Sequence, residues 1–209
     1  MTDSDPKTTL YLVRHGETVW NTEKRAQGWQ DSPLTERGIE QARRLAERLR
    51  PVRLDAIYAS PSGRTMHTAA ILRGDRALVV TPCEELREIH MGDWEGRRID
   101  ELDGEAERLH NFWYAPHLFQ PAGAGETFAQ LQARVVAAVS RLVAESAGSA
   151  ILLVSHGGAL KALLAHYAGR PLAQLWAPPI LRQASLSVVE IEGQSARIVL
   201  EGDTSHLAE

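Results

Sequence analysis

The sequence predicts an α/β protein with three layers, α/β/α. The central sheet is mostly parallel, an antiparallel hairpin lies at its edge near the C-terminus, and a helical and irregular segment is inserted midway. Three observations predict this. Short apolar runs alternate with amphipathic helical stretches, the pattern of repeated strand-helix units. The runs Thr9-Leu10-Tyr11-Leu12-Val13 and Ala150-Ile151-Leu152-Leu153-Val154 are too evenly apolar for a sheet wetted on one face. A short hairpin turn, Glu192-Gly193-Gln194, separates two strand signals close to the end.

The elements follow in order. A polar, glycine-containing loop runs over 20–33. Ile39, Ala42, Leu45, Ala46 and Leu49 recur at helical spacing, so a helix is expected over 35–50, with Thr35 as N-cap and Pro51 as the stop. Residues 55–59 read as a short strand. Ser60-Pro61-Ser62-Gly63-Arg64 turns into a helix closed by Gly74, and residues 77–80 read as a third strand. Residues 84–125 break the rhythm with Trp94, Phe112, Trp113, Tyr114 and Phe119 among prolines and glycines. One helix over 99–113 is expected there, within a long connection of the kind that serves as a lid or binding segment. Residues 126–146 form a strong amphipathic helix, with Phe128, Leu131, Val135, Ala138, Val139 and Leu142 on one stripe. A helix over 159–167 follows the strand at 150–154, and strands over 185–191 and 196–200 form the hairpin.

Bulk properties exclude several classes. A chain of 209 residues suffices for one good-sized core. The formal net charge is -4 with no basic run, which argues against a global nucleic-acid or membrane surface. Positive charge for an anionic ligand must therefore be local. No apolar stretch approaches the length of a membrane span. Residues 1–8 are polar and lack the apolar region of a signal peptide. They are expected to fray, and a cytoplasmic location is expected. Cys83 is the only cysteine, so no intrachain disulfide forms, which is compatible with a reducing compartment. Arg87 follows it after only three intervening residues, too close for a Cys-x5-Arg phosphate-binding nucleophile, so Cys83 reads as a small buried hydrophobe.

The chemistry concentrates at two strand ends. Leu12-Val13-Arg14-His15-Gly16 and Leu153-Val154-Ser155-His156-Gly157 end alike. If both strands are central and parallel, both histidines emerge at the carboxyl edge of the sheet, where open α/β folds bind ligands. Gly16 permits a sharp turn and close approach. Arg14 suits an anion and repels a cation. Histidine is a common metal ligand, but no HxH or HxxxH pair accompanies either residue, and no metal is expected.

Arg14-His15-Gly16-Glu17-Thr18 with Asn21 resembles the signature of the histidine phosphatase superfamily, also called phosphoglycerate-mutase-like. The resemblance continues, in the family's order, through Gln27-Gly28, Asp31-Ser32-Pro33-Leu34-Thr35, Ser60-Pro61-Ser62-Gly63-Arg64-Thr65, Leu86-Arg87-Glu88, Gly92-Asp93-Trp94-Glu95-Gly96 and Ser155-His156-Gly157. It implies one such domain over 1–209, with no cofactor. It implies His15 as a nucleophile that carries phosphate transiently, with Arg14 and Arg64 clamping the phosphoryl oxygens. His156 is expected as a further donor, protonated beside phosphate. Glu88, in the Leu-x-Glu element four residues before Gly92, is expected as the general acid and base, in preference to Glu84, Glu85 and Glu95. Asn21, Gln27, Gly28 and Gly157 are expected to bind substrate, and Glu17 to be structural. Trp94, Trp113 and His117 are expected in the lid.

The stretch after Glu88 is similar to the bacterial broad-specificity phosphatases, as are Ala115-Pro116-His117-Leu118 and Leu175-Trp176-Ala177-Pro178-Pro179. The expected activity is metal-independent hydrolysis of small phosphorylated metabolites with varied, partly apolar leaving groups. A mutase dependent on 2,3-bisphosphoglycerate is the alternative. A catalytically dead phosphate-binding module is the alternative from another class; it would usually have lost a member of the set that is present here. A monomer is expected, or a homodimer paired through the strand near 185–191.

Overall fold

In an extended strand neighbouring side chains point to opposite faces, so a run of apolar residues needs a core on each side. The computed structural model describes residues 6–102 and 104–208, and it has both cores. Leu10, Leu12, Ile151 and Leu153 enter one, while Val13, Leu152 and Val154 enter the other. Strand β1 (Thr8–Arg14) pairs in parallel with β4 (Ala150–Ser155), and β4 with β2 (Ala56–Ala59), which pairs in parallel with β3 (Val80–Pro82). On the other side of β1 lie β5 (Leu186–Glu192) and β6 (Ser195–Asp203), both antiparallel to their neighbours. The order is β3-β2-β4-β1-β5-β6. One face is covered by Leu45 and Leu49 of α2 (Glu36–Leu49) and by Ala69 and Leu72 of α3 (Gly63–Arg73). The other is covered by α5 (Phe128–Glu145) and α6 (Gly157–Tyr167). A short helix, α1 (Val19–Thr22), lies in the first loop, and α4 (Ala106–Tyr114) in the inserted segment.

Several expectations change. The third strand starts at Val80 rather than at 77, because the chain comes alongside β2 only there; Leu78 packs into the core and Val79 faces solvent. The helix expected over 99–113 is two pieces, a single turn at Ile99–Glu101 and α4. Between them Gly104 has φ 78°, which a right-handed helix cannot contain. Helix α6 begins at Gly157, directly after His156, because the glycines join the first turn despite their poor helix propensity. Residues 1–5 lie outside the described residues. Thr8, expected to fray, opens β1, and its hydroxyl accepts from Gly148 N at 2.9 Å. Strand β5 is flanked by β1 and β6, so it presents no edge for pairing subunits. Cys83 is buried, donates to Glu85 and has its pKa pushed up to about 11, chiefly by burial, which suits a structural thiol. No helix among the described residues is long and apolar enough to cross a membrane.

One packing detail places the turn after β1. Gly16 and Gly38 lie backbone to backbone. A methyl on Gly38 would overlap the Glu17 carbonyl, and one on Gly16 would overlap the Gly38 carbonyl. Thr35, the N-cap of α2, donates its N–H to that same Glu17 carbonyl at 2.9 Å, and its hydroxyl donates to the Glu17 carboxylate at 2.9 Å. Glu17 therefore ties the turn after β1 to the start of α2. By helix propensity Gly38→Ala would stabilise by about 1 kcal/mol. The backbone overlap opposes this, and overpacking of this kind costs roughly 1–3 kcal/mol. Gly38→Ala is expected to lower the urea midpoint; an unchanged or higher midpoint would mean that propensity outweighs the contact.

Candidate active site

The parallel register aligns Arg14 with Ser155, so the next residues, His15 and His156, lie side by side. Their ring centroids are 5.3 Å apart, and His15 N donates to Ser155 O at 3.0 Å. Both imidazoles are buried. The His15 ring places Nδ1 2.8 Å from Gly16 O. A carbonyl only accepts, so Nδ1 carries the hydrogen and Nε2 keeps its lone pair. Burial, then Arg64 and Arg14, push the His15 pKa well below the ordinary histidine value. The ring is therefore neutral at physiological pH, with a nucleophilic nitrogen.

Two guanidinium groups flank it. Arg14 Nη1 donates to Leu181 O at 2.6 Å. Arg64 donates to Gln30 O at 2.7 Å, Asp31 Oδ1 at 2.9 Å and Gly28 O at 2.8 Å. These bonds account for the outer nitrogens of Arg64. The inner Nε–H of Arg14 and that of Arg64 are both buried with no hydrogen-bond partner. An unpaired buried donor is costly, and one on a cation more so. Both arginines line one cavity of about 380 Å³ together with His15.

Glu88 is the sole carboxylate on that wall among the described residues. It reaches the start of α6, where its oxygens accept from Gly158 N and Ala159 N at 3.0 Å and from Ile89 N at 2.9 Å. Its rivals lie elsewhere. Glu84 pairs with Arg87, and Glu85 with Arg141. Glu95 is buried beneath the 28–30 turn and accepts from Trp29 N, Gln30 N and Met91 N.

Asn21, Gln27, Gly28 and Gly157 all line the cavity. Asn21 also accepts from Thr18 N in the capping box of α1, and Gln27 accepts from the Thr18 hydroxyl. His156 behaves differently from expectation. Its Nδ1 stands 3.1 Å from Arg64 Nη2, which can only donate, so Nε2 carries the hydrogen and donates to Ser60 Oγ at 2.8 Å. Both ring nitrogens are taken, and burial and Arg64 hold its pKa well below the ordinary range. In this structure His156 orients Arg64 instead of facing the cavity.

The expected lid is largely a wall. Trp94 is 2% exposed and packs against Phe112 and Phe119 in the core, with its indole N–H unpartnered. Trp113 does stand at the rim, half exposed, 5.3 Å from Trp176. His117 is exposed and lines no part of the cavity, because the turn Pro116–Leu118 points it outward. The sequence reading missed Ser60, the Leu181 carbonyl and Lys161. Lys161 carried a signal, a lone charge in the apolar run Ala159–Ala165. It is buried, and it donates to Ala177 O at 2.7 Å, to Pro179 O at 3.3 Å and to Glu201 at 3.3 Å, fixing the segment that presents Leu181. Among the described residues no cluster of three or more His, Cys, Asp or Glu side chains is arranged to hold a metal ion.

This site and fold are those of a known family. Residues 10–204 match the histidine phosphatase superfamily (branch 1), and the chain belongs to it. The Bacillus stearothermophilus YhfR structure superposes with a TM-score of 0.94 at 48% identity, covering 96% of this chain and 100% of that one. A putative α-ribazole-5'-P phosphatase from Escherichia coli K-12 has a TM-score of 0.83 at 34% identity, covering 92% and 95%. A Yersinia pestis relative, "probable phosphoglycerate mutase GpmB", is 41% identical over 95% of this chain and 94% of its own length.

The histidines predict a pH dependence of stability. Their folded pKa values lie below the ordinary 6.5, so below about that pH the unfolded chain binds protons that the folded chain refuses. Their contribution is level above that pH and is lost as the pH falls, by up to about 1.4 kcal/mol per pH unit for each group. Denaturant titrations between about pH 7 and 5.5 are expected to show falling stability, with a shallower fall in His15→Ala. Equal slopes would mean that His15 is not held neutral.

Proposed function

We propose that this protein hydrolyses small phosphomonoesters through a phosphohistidine on His15, without a metal. The observation that carries the proposal is that Arg14 and Arg64, each with a buried, unpartnered guanidinium N–H, line one cavity with a neutral His15. A phosphoryl group supplies oxygens for both donors, and its negative charge offsets two arginines whose pKa values burial already lowers. Phosphoryl transfer needs chiefly positioning and charge stabilisation, which such a clamp provides.

In the first step His15 Nε2 attacks phosphorus while Gly16 O holds the Nδ1–H. The bond from phosphorus to the ester oxygen breaks, and that oxygen takes its electron pair and a proton from Glu88. In the second step Glu88 removes a proton from water, and the hydroxide oxygen bonds to phosphorus. The phosphorus–nitrogen bond then breaks, returning neutral His15 and inorganic phosphate. Asn21, Gln27, Gly28 and Gly157 bound the phosphate end. Beyond it the wall is mostly apolar, with Ile89, Met91, Phe112, Trp113 and Trp176. Such a wall supports aryl and other partly apolar leaving groups over densely charged ones. On this reading the protein acts in the cytoplasm, as a monomer or homodimer, on small metabolites, with no nucleic-acid or membrane partner.

The likeness to the Yersinia protein supports a second reading, in which the phosphohistidine returns its phosphoryl group to a second hydroxyl. An assay with 3-phosphoglycerate and 2,3-bisphosphoglycerate separates the two: a mutase yields 2-phosphoglycerate faster than free phosphate.

Turnover of p-nitrophenyl phosphate is expected to persist in excess chelator. His15→Ala is expected to abolish both turnover and acid-labile phosphate labelling; persistent labelling would remove His15 as nucleophile, and a metal requirement would sink the mechanism. Glu88→Gln is expected to slow an alkyl phosphomonoester by roughly 10²–10⁴-fold and p-nitrophenyl phosphate far less, since nitrophenolate leaves with little protonation. Equal losses would point to a different acid.

A further inference from the structure

The segment carrying Glu88 is fastened by one guanidinium that lies outside the cavity wall. Arg134, on α5, is a partly buried arginine with every N–H engaged. Its Nη1 donates to Glu85 O at 2.7 Å and Arg87 O at 2.9 Å, and its Nη2 donates to Glu88 O at 2.7 Å and to Glu126 Oε1. Its Nε donates to Glu126 Oε2 at 2.9 Å. That accounts for all five donors of a guanidinium. Glu126 also accepts from His90 N at 2.9 Å. The pair therefore grips the backbone at residues 85, 87, 88 and 90, on both sides of the acid.

The Glu88 carboxylate has its own restraints, the amides of Ile89, Gly158 and Ala159. Two of these lie on α6, so the carboxylate meets them only while backbone 88 stays at a fixed distance from that helix. Arg134 and Glu126 hold that distance, together with Trp29 Nε1 on the Glu88 carbonyl at 2.9 Å and Ser155 Oγ on the Leu86 carbonyl at 2.7 Å. We infer that Arg134 and Glu126 are positioning residues for proton transfer by Glu88, acting on the backbone that presents it. The inference rests on the assignment of Glu88 as the proton donor. Lysine at 134 would keep the charge but has three donors around one point, too few and wrongly arranged for three carbonyls and a carboxylate.

The test compares the parent protein, Arg134→Lys, Glu88→Gln and the double variant on p-nitrophenyl phosphate and on an alkyl phosphomonoester. Urea midpoints are measured alongside. Arg134→Lys is expected to reduce kcat on the alkyl ester about tenfold more than on p-nitrophenyl phosphate, with little change in KM. In the Glu88→Gln background it should add almost nothing to that discrimination, since the group it positions is gone. A purely structural role would depress both substrates alike. If Arg134→Lys does not fold, Glu126→Gln, which keeps an acceptor for His90 N, is expected to give the same split in weaker form. Equal losses on both substrates, or full additivity in the double variant, overturn the positioning role while leaving Glu88 as the acid. A Glu88→Gln variant that shows no split overturns the acid assignment, and this inference falls with it.

Discussion

The interaction on which the rest depends is the holding of two buried guanidinium groups by backbone carbonyls. Arg14 and Arg64 flank two imidazoles in one corner of the sheet, and burial, with the cations adding to it, pushes both rings toward neutrality. Their direct partners are mostly carbonyls: Leu181 for Arg14, and Gly28 and Gln30 for Arg64, with one Asp31 oxygen added. Carbonyls orient a cation without cancelling its charge, so the attraction for an anion survives. Each carbonyl must itself be fixed. Glu95 does this for the 28–30 turn by accepting from two of its amides, and Lys161 does it for the segment leading to Leu181. Glu95, which is not on the cavity wall, and Lys161, which is, thereby help decide where the inner N–H groups of the arginines point.

The sheet supplies the other constraint. Parallel pairing of β1 with β4 in matched register puts the two histidines next to each other with no adjustment by the loops. Gly16 and Gly38 then bring the turn after β1 against the first turn of α2. The polar corner and the two apolar cores are therefore one construction, since a shift in either strand would separate the rings and turn side chains to the wrong face.

The fold was legible because its signals are local. Apolar runs of strand length, helical stripes and Thr35 as N-cap are all read within a few residues, and five of the six strands fall close to where the sequence reading puts them. Both strand-end histidines were legible for the same reason, as was Arg14. Local pattern did not disclose long-range contact; Arg64 and Glu88 were placed beside His15 only by the family resemblance. The third strand is displaced by three residues because its partner, not its own hydrophobicity, chooses where pairing begins. Trp94 looked like a lid residue because aromatic residues signal a core and a binding wall equally well. His156 looked like a ligand donor because sequence does not disclose that Arg64 and Ser60 occupy its two nitrogens. Ser60, Lys161 and the Leu181 carbonyl act across the chain through single bonds that leave little or no pattern.

The cavity unites two environments whose effects are coupled. At one end stand two arginines with unpaired inner N–H groups and a lone carboxylate, and the rest is mostly aromatic and aliphatic side chains, with Lys24, Arg25 and Lys161 also on the wall. With a net charge of -4 the chain as a whole does not steer anions from a distance, so capture depends on contact inside the cavity. On the proposed reading, an apolar leaving group seated on Phe112, Trp113 and Trp176 displaces water beside the phosphoryl end. Removing that water lowers the local dielectric, and the same guanidinium bonds then stabilise developing charge more strongly. The apolar wall would then influence the chemical step as well as binding. Substrate size would register in kcat as well as in KM, although no wall residue touches a reacting atom.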